Sequence, residues 1–155
     1  MKADPVEVQE FLKLLEKTAR RIEVATKGVD EMRLHFKLDT TQWSANDILA
    51  HLRSCADVWG DSIEKMIAKD KQTLPYVHPR QWVKKTDYAN LSFRISFQAF
   101  KTQRGELLKV LKDLSFEDWS RGAIIQGREH TVFTQTRRMA THENVHCDQI
   151  EEMLK

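Results

Sequence analysis

Turn-forming residues are scarce: the 155-residue chain has five glycines and three prolines. That shortage argues against many short strands joined by tight turns and favours long helices. Only two cysteines, Cys55 and Cys147, are present, so no disulfide framework is available. No run of about 18 apolar residues could form a bilayer-spanning helix. The opening residues Met1-Lys2-Ala3-Asp4-Pro5 lack the apolar core of a secretory signal, and the expected compartment is a reduced cytoplasm. Neither sign of charge dominates, with 25 Lys and Arg against 23 Asp and Glu, both interspersed. Without a basic block interleaved with aromatics, a nucleic-acid partner is not expected. What is present, 41% hydrophobic and 31% charged residues, suits a single domain over residues 1–155 that buries its own core.

The apolar residues repeat at helical spacing in four stretches. Asp4 and Pro5 open the first as N-cap and first-turn proline. The stripe Val8, Phe11, Leu12, Leu15, Ala19, Ile22 and Ala25 follows, and Gly28 closes it. Residues 29–43 read as a connector in which Met32, Leu34 and Phe36 suggest one extra helical turn. Ser44 and Asp47 form a variant capping box that starts the second helix. Its stripe runs Ile48, His51, Leu52, Cys55, Trp59, Ile63, Met66 and Ile67. Residues 69–90 carry Pro75 and Pro79 and no sustained period. So long a connection can run the length of a bundle, which allows the helices on either side of it to lie parallel. Tyr76, His78 and Trp82 on this segment are expected to cover an open end. The third helix spans about Leu91 to Leu114, with Phe93, Phe97, Phe100, Leu107, Leu108, Leu111 and Leu114 on one side. Gly122 and Gly127 suggest an irregular connector, after which Thr131 or Thr134 caps a fourth helix from Val132 to Leu154. Four long helices and one long crossover make an all-α four-helix bundle, a class that builds metal sites from facing helices.

The chemistry concentrates in the fourth helix. His142 and His146 are four apart, hence one above the other on one face. They fall in line with Val132, Met139, Ile150 and Met153, which marks that face as turned toward the core. A buried imidazole needs a partner, and one divalent ion satisfies several at once. A usable metal site needs about three protein ligands, and His51, mid-helix beside an apolar stripe, is the candidate third. His35, His78 and His130 lie in connectors and read as solvated side chains. Three histidines would leave a coordination position open, the arrangement of a catalytic site. Cys55, one turn after His51, offers an alternative in which a fourth ligand closes a structural site, while Cys147 is rotated about 100° from His146 and points elsewhere. His142-Glu143-x-x-His146 also matches the metallopeptidase pattern in which the glutamate is general base. Only nine residues follow His146, and no third-ligand extension of that pattern appears, so Glu143 is a weak catalytic candidate. It reads better as a carboxylate behind the ligands or at the surface.

At these residues the chain resembles the DinB/YfiT-like metalloenzyme family. The matching pieces are Trp43-Ser44-x-x-Asp47-Ile48-Leu49-Ala50-His51-Leu52, Leu114-Ser115-x-Glu117-Asp118-Trp119, and His142-Glu143-x-x-His146-x-x-Gln149-Ile150. They cover almost the whole chain in the family's order. The resemblance implies an up-down-down-up bundle with its crossover in residues 69–90. It implies metal ligands His51, His142 and His146 around zinc, nickel or iron. It departs from the pattern at Cys55, where many relatives carry an acid, and at Val145, where many carry a histidine. Relatives that are S-transferases and isomerases using low-molecular-weight thiols such as bacillithiol or mycothiol make thiol-dependent S-transferase chemistry the activity the resemblance implies first. A small-molecule substrate and a homodimer are the partners it suggests. A non-catalytic metal-stabilised bundle, for stress response or dimerisation, and a metal-dependent hydrolase are the alternatives.

Overall fold

The computed structural model describes residues 2–155. Helix α1 spans Pro5–Thr26, started by Asp4 Oδ1, which accepts the Val6 N–H at 2.8 Å. It gives way at Gly28, whose φ of +74° only glycine adopts cheaply. The turn α2, Glu31–Leu34, follows. Of the three apolar residues expected there, Leu34 is buried while Met32 and Phe36 are exposed. Helix α3, Ala45–Ala68, begins at the expected capping box between Ser44 and Asp47. Helix α5, Phe93–Lys112, is capped by Ser92, and α6, Val132–Met153, by Thr131. Between α3 and α5 lie a short strand β1, Gln72–Leu74, and one turn and a half of helix α4, Pro79–Val83.

Side-chain pairs fix the helix directions. Phe11 packs on Phe133, and Arg21 pairs with Asp148 and Glu151, so α1 and α6 run parallel. Lys101 meets Glu23 and Lys112 meets Glu16, so α5 runs against α1. Arg53 Nη1 reaches Ser96 at 3.1 Å and Asp57 accepts from Gln103 at 2.8 Å, so α3 and α5 are parallel. The order is up-down-down-up, as the long crossover suggests. That crossover is fastened by Asp57 on α3. One of its oxygens accepts from Trp82 Nε1 at 3.0 Å and from the Tyr88 hydroxyl at 2.6 Å, and the other accepts from Gln103. Trp82 therefore lies against the side of α3 rather than across an end of the bundle.

The connector before α6, expected to be irregular, is ordered. Gly122–Ile125 (β2) and Arg128–Thr131 (β3) form a hairpin, and β1 joins β2 in parallel to make a three-stranded sheet. Gln126 and Gly127, both at positive φ, make its two-residue turn. Gly122 is required by close approach, since a Cβ there would collide with the His130 carbonyl oxygen. Asp70 Oδ1 accepts the Gly122 N–H at 2.8 Å, and Arg121 donates to the Met66 and Ile67 carbonyls, tying the sheet to the end of α3.

The core falls into two apolar clusters. One holds Leu15, Ile63, Met66, Phe133 and Met139; the other holds Ile22, Ile48, Leu49, Leu52, Phe100 and Ile150. Met153, expected on the core-facing stripe, is more than a third exposed in the last turn of α6. Along three of the helices one polar residue separates the clusters, Thr18 on α1, Arg104 on α5 and Glu143 on α6, while on α3 the first cluster extends to Trp59. This middle band carries the polar interior, and it places the histidines.

Candidate metal centre

His51 enters the site from the second turn of α3 and is itself buried, with Trp43 packed against its ring at 5.0 Å between centroids. His142 and His146 come from successive turns of α6, and both are half-buried. The site thus lies at the rim of the core, not in its centre. The Nε2 atoms of His51 and His142 are 3.1 Å apart, and those of His142 and His146 are also 3.1 Å apart. One ligand atom from each ring lies within 4.8 Å of the other two.

Three converging nitrogens make a specific demand. A ring nitrogen carries either one in-plane N–H or one lone pair, so His142 Nε2 cannot bond both neighbours at once. His146 Nδ1 lies 3.0 Å from Gln149 Oε1, a contact that places its proton on Nδ1 and turns the Nε2 lone pair inward. Burial, and then the neighbouring imidazoles, push His51 and His142 down to about 4, so both are neutral at physiological pH, the form that ligates. His142 Nδ1 is buried without a hydrogen-bond partner. A divalent cation meets this donor set: bonds of about 2.0–2.1 Å to a tetrahedral ion put ligand nitrogens roughly 3.3 Å apart.

Cys55 is not part of the group whose ligand atoms all lie within 4.8 Å of one another, although its Sγ is 3.6 Å from His51 Nε2; burial pushes its thiol up to about 12. Cys147 faces α1, with Sγ 3.9 Å from the Thr18 carbonyl oxygen, and burial also pushes it up to about 12.

Glu143 is neither at the surface nor behind the ligands. It is fully buried and turned away from the imidazoles, about 100° around the helix from His142. Both its oxygens pair with the Arg104 guanidinium, and Oε2 also accepts the Thr18 hydroxyl at 2.8 Å. The partner was visible in principle: Arg104 interrupts the apolar stripe of α5 between Phe100 and Leu107. The other histidines also depart from expectation in part. His35 does pair with Glu31 at the surface, but His78 caps α4 by accepting the Arg80 N–H at 3.1 Å. His130 sits half-buried on β3, and that burial holds it below the usual imidazole range.

Two tryptophans flank the trio. Trp43 stacks over His146 at 6.3 Å, and Trp59 meets His142 edge-on at 5.1 Å. Beyond Trp59, between α3, α5 and the sheet, lies a cavity of about 950 Å³ walled by Trp59, Trp82, Phe100, Leu107, Gln135 and Arg138. The carboxamide oxygen of Gln135, a buried residue, has no partner.

The sequence matches the DinB superfamily over residues 14–150, and the chain belongs to that superfamily. Solved structures that share the fold include the following two. YfiT from Bacillus subtilis, described as a probable metal-dependent hydrolase with an unusual four-helix bundle topology, superposes with a TM-score of 0.79 at 13% identity, covering 98% of this chain and 88% of YfiT. DfsB, described as a sibling lethal factor precursor, superposes with a TM-score of 0.70 at 13% identity, covering 94% of this chain and 93% of DfsB. No curated protein matches in sequence.

Proposed function

We propose that this member of the DinB superfamily is a metal-dependent enzyme acting on a small molecule, with His51, His142 and His146 as ligands of one zinc, nickel or iron ion. The observation that carries this reading is the meeting of three Nε2 atoms from two helices, with no fourth protein group joining them among the described residues. A divalent ion held there supplies Lewis acidity and makes a thiol or water entering the open position acidic enough to act as a nucleophile.

The residues around the site favour a thiol over water. Glu143, the carboxylate that the metallopeptidase pattern would use as base, is engaged by Arg104 and Thr18. Bound to a divalent ion, water falls to a pKa near 7 and a thiol, which starts from about 8.5, ionises more readily still; no carboxylate among the described residues is placed to relay a proton from water. The protein's own thiols are buried, so the thiol is supplied from outside. Trp43 and Trp59 pack against the imidazoles and add apolar surface beside them. We therefore read the reaction as thiol-dependent group transfer to an electrophile. Metal-dependent hydrolysis is the second reading, supported by the likeness to YfiT, itself described as a probable metal-dependent hydrolase.

Elemental analysis of protein purified without a histidine tag tests the centre: one equivalent of zinc, nickel or iron is expected, and its loss in His142→Asn. Parallel screens, conjugation of thiols to a chromogenic electrophile and hydrolysis of activated esters, separate the two reactions. Absence of stoichiometric metal after reconstitution overturns the proposal. Metal binding with neither activity leaves a bundle that the metal only stabilises.

A further inference from the structure

Around the imidazoles the sequence places cations and leaves out acids. Apart from the imidazoles themselves, the charged groups that act most strongly are Arg80, on both His51 and His142, and Arg138, on His142. The two arginines are held in a matching way. The Arg80 guanidinium lies 5.3 Å from the ring of Trp43, and that of Arg138 lies 5.7 Å from the ring of Trp59, both within cation–π range. These are the tryptophans that pack on His51 and His142. Each guanidinium is thereby placed beside the trio by stacking, which leaves its N–H fork free. Neither forms an ion pair among the described residues, and both are exposed. On the other faces of α6 the arginines of α1 and α5 are paired internally: Arg21 takes Asp148 and Glu151, and Arg104 takes Glu143.

We infer that this site takes a small molecule bearing an oxyanion group, a carboxylate or a phosphate, bound by Arg80 and Arg138 next to the three histidines. The inference rests on the reading of the trio as a metal site in one respect. Three neutral imidazoles around a dication would leave two positive charges, with two arginines beside them and no carboxylate ligand, so only an incoming anion balances the site. The two forks suit the planar geometry of a carboxylate or the face of a phosphate, which is the recognition guanidinium groups perform best. Arg138 and Trp59 also line the cavity of about 950 Å³, so a ligand whose anionic end meets Arg138 has room there for an apolar body.

The test compares 3-mercaptopropionate with 3-mercaptopropanamide, which share a thiol and a length and differ in the charge, with inorganic phosphate as a third ligand. Binding is followed by calorimetry and tryptophan fluorescence on zinc-loaded protein and on chelator-stripped protein. The acid is expected to bind about tenfold tighter than the amide in both forms, and more weakly as salt rises. Arg80→Gln and Arg138→Gln are each expected to reduce that preference severalfold, and together to abolish it, while amide binding stays within twofold. Both side chains are exposed, so thermal midpoints serve to show that the variants fold. Displacement of the acid by millimolar phosphate assigns the site to oxyanions in general; failure of phosphate to compete assigns it to carboxylates. Equal affinity for acid and amide in both forms, or a preference that survives the double variant, overturns the inference. Zinc content measured on the same samples reports separately on the metal reading, because the acid preference is expected with or without the ion.

Discussion

Removing the charge of Glu143 tests whether that residue serves the fold or the chemistry. In Glu143→Gln the shape is kept, but Arg104, itself buried, loses the anion that pairs with both of its terminal nitrogens. Breaking a buried pair from one side typically costs about 3–5 kcal/mol, because the remaining charge is stranded. The Thr18 hydroxyl loses its carboxylate but retains the Leu14 carbonyl at 3.1 Å, so it adds little. For a domain of this size, each kcal/mol lowers the thermal midpoint by about 2–4 °C, giving a fall of roughly 6–20 °C. Replacing both partners by apolar residues, Arg104→Met with Glu143→Leu, removes the stranded charge and is expected to recover most of the loss. The assay is urea unfolding of the wild type, both single variants and the double variant, with metal content and activity measured on each that folds. The double variant is expected to keep its metal and its activity, since the carboxylate faces α1 and α5 and not the histidines. A Glu143→Gln protein as stable as wild type but inactive refutes the assignment and restores the glutamate as a base.

Four further outcomes follow from the same geometry. Cys55→Ala should leave metal affinity within twofold and cost about 1 kcal/mol, as for losing one buried methyl-sized group; a collapse of zinc affinity in a competition titration would instead make the thiol a ligand. Asp57→Ala frees Trp82, Tyr88 and Gln103 together, so limited proteolysis should cut the 69–90 segment faster, with a stability loss of about 2–3 kcal/mol at the upper range for bonds to a charged acceptor. In metal-free protein, His51 and His142 titrate near 4 when folded and near 6.5 when unfolded. The unfolded chain therefore binds more protons between those values, and stability should decline as pH falls from about 6.5 to about 4, with urea midpoints of the His51→Gln, His142→Gln double variant declining less. Gly127→Ala should destabilise the hairpin by about 1 kcal/mol, read as a lower thermal midpoint, because its φ of +73° then carries a Cβ.

How much of this was legible in the sequence depended on whether an element advertises itself locally. The capping box at Ser44 and Asp47 set the start of α3 to the residue, and the apolar period carried it to Ala68. Two histidines one turn apart, plus a third on another stripe, were enough to name a trio whose nitrogens do converge. The three-stranded sheet was missed because strands of three and four residues are too short to show a period, and β1 pairs with a strand some fifty positions later. One signal did exist: Gly127 sits at a two-residue turn between short apolar and polar runs, which is hairpin chemistry. Glu143 was misplaced for a different reason. Motif spacing fixes which residues share a helix face, but it says nothing of what the next face over will meet. That depends on α1 and α5, whose Thr18 and Arg104 stand at the one level where both helices break their apolar stripes. The break is aligned across three helices, so the bundle concentrates its buried polar groups in one layer. His51 and His142 approach that layer from the side of α3, where Trp59 takes the place of a charged residue. A glutamate next to one of the converging histidines in sequence is thus committed to holding the helices in register.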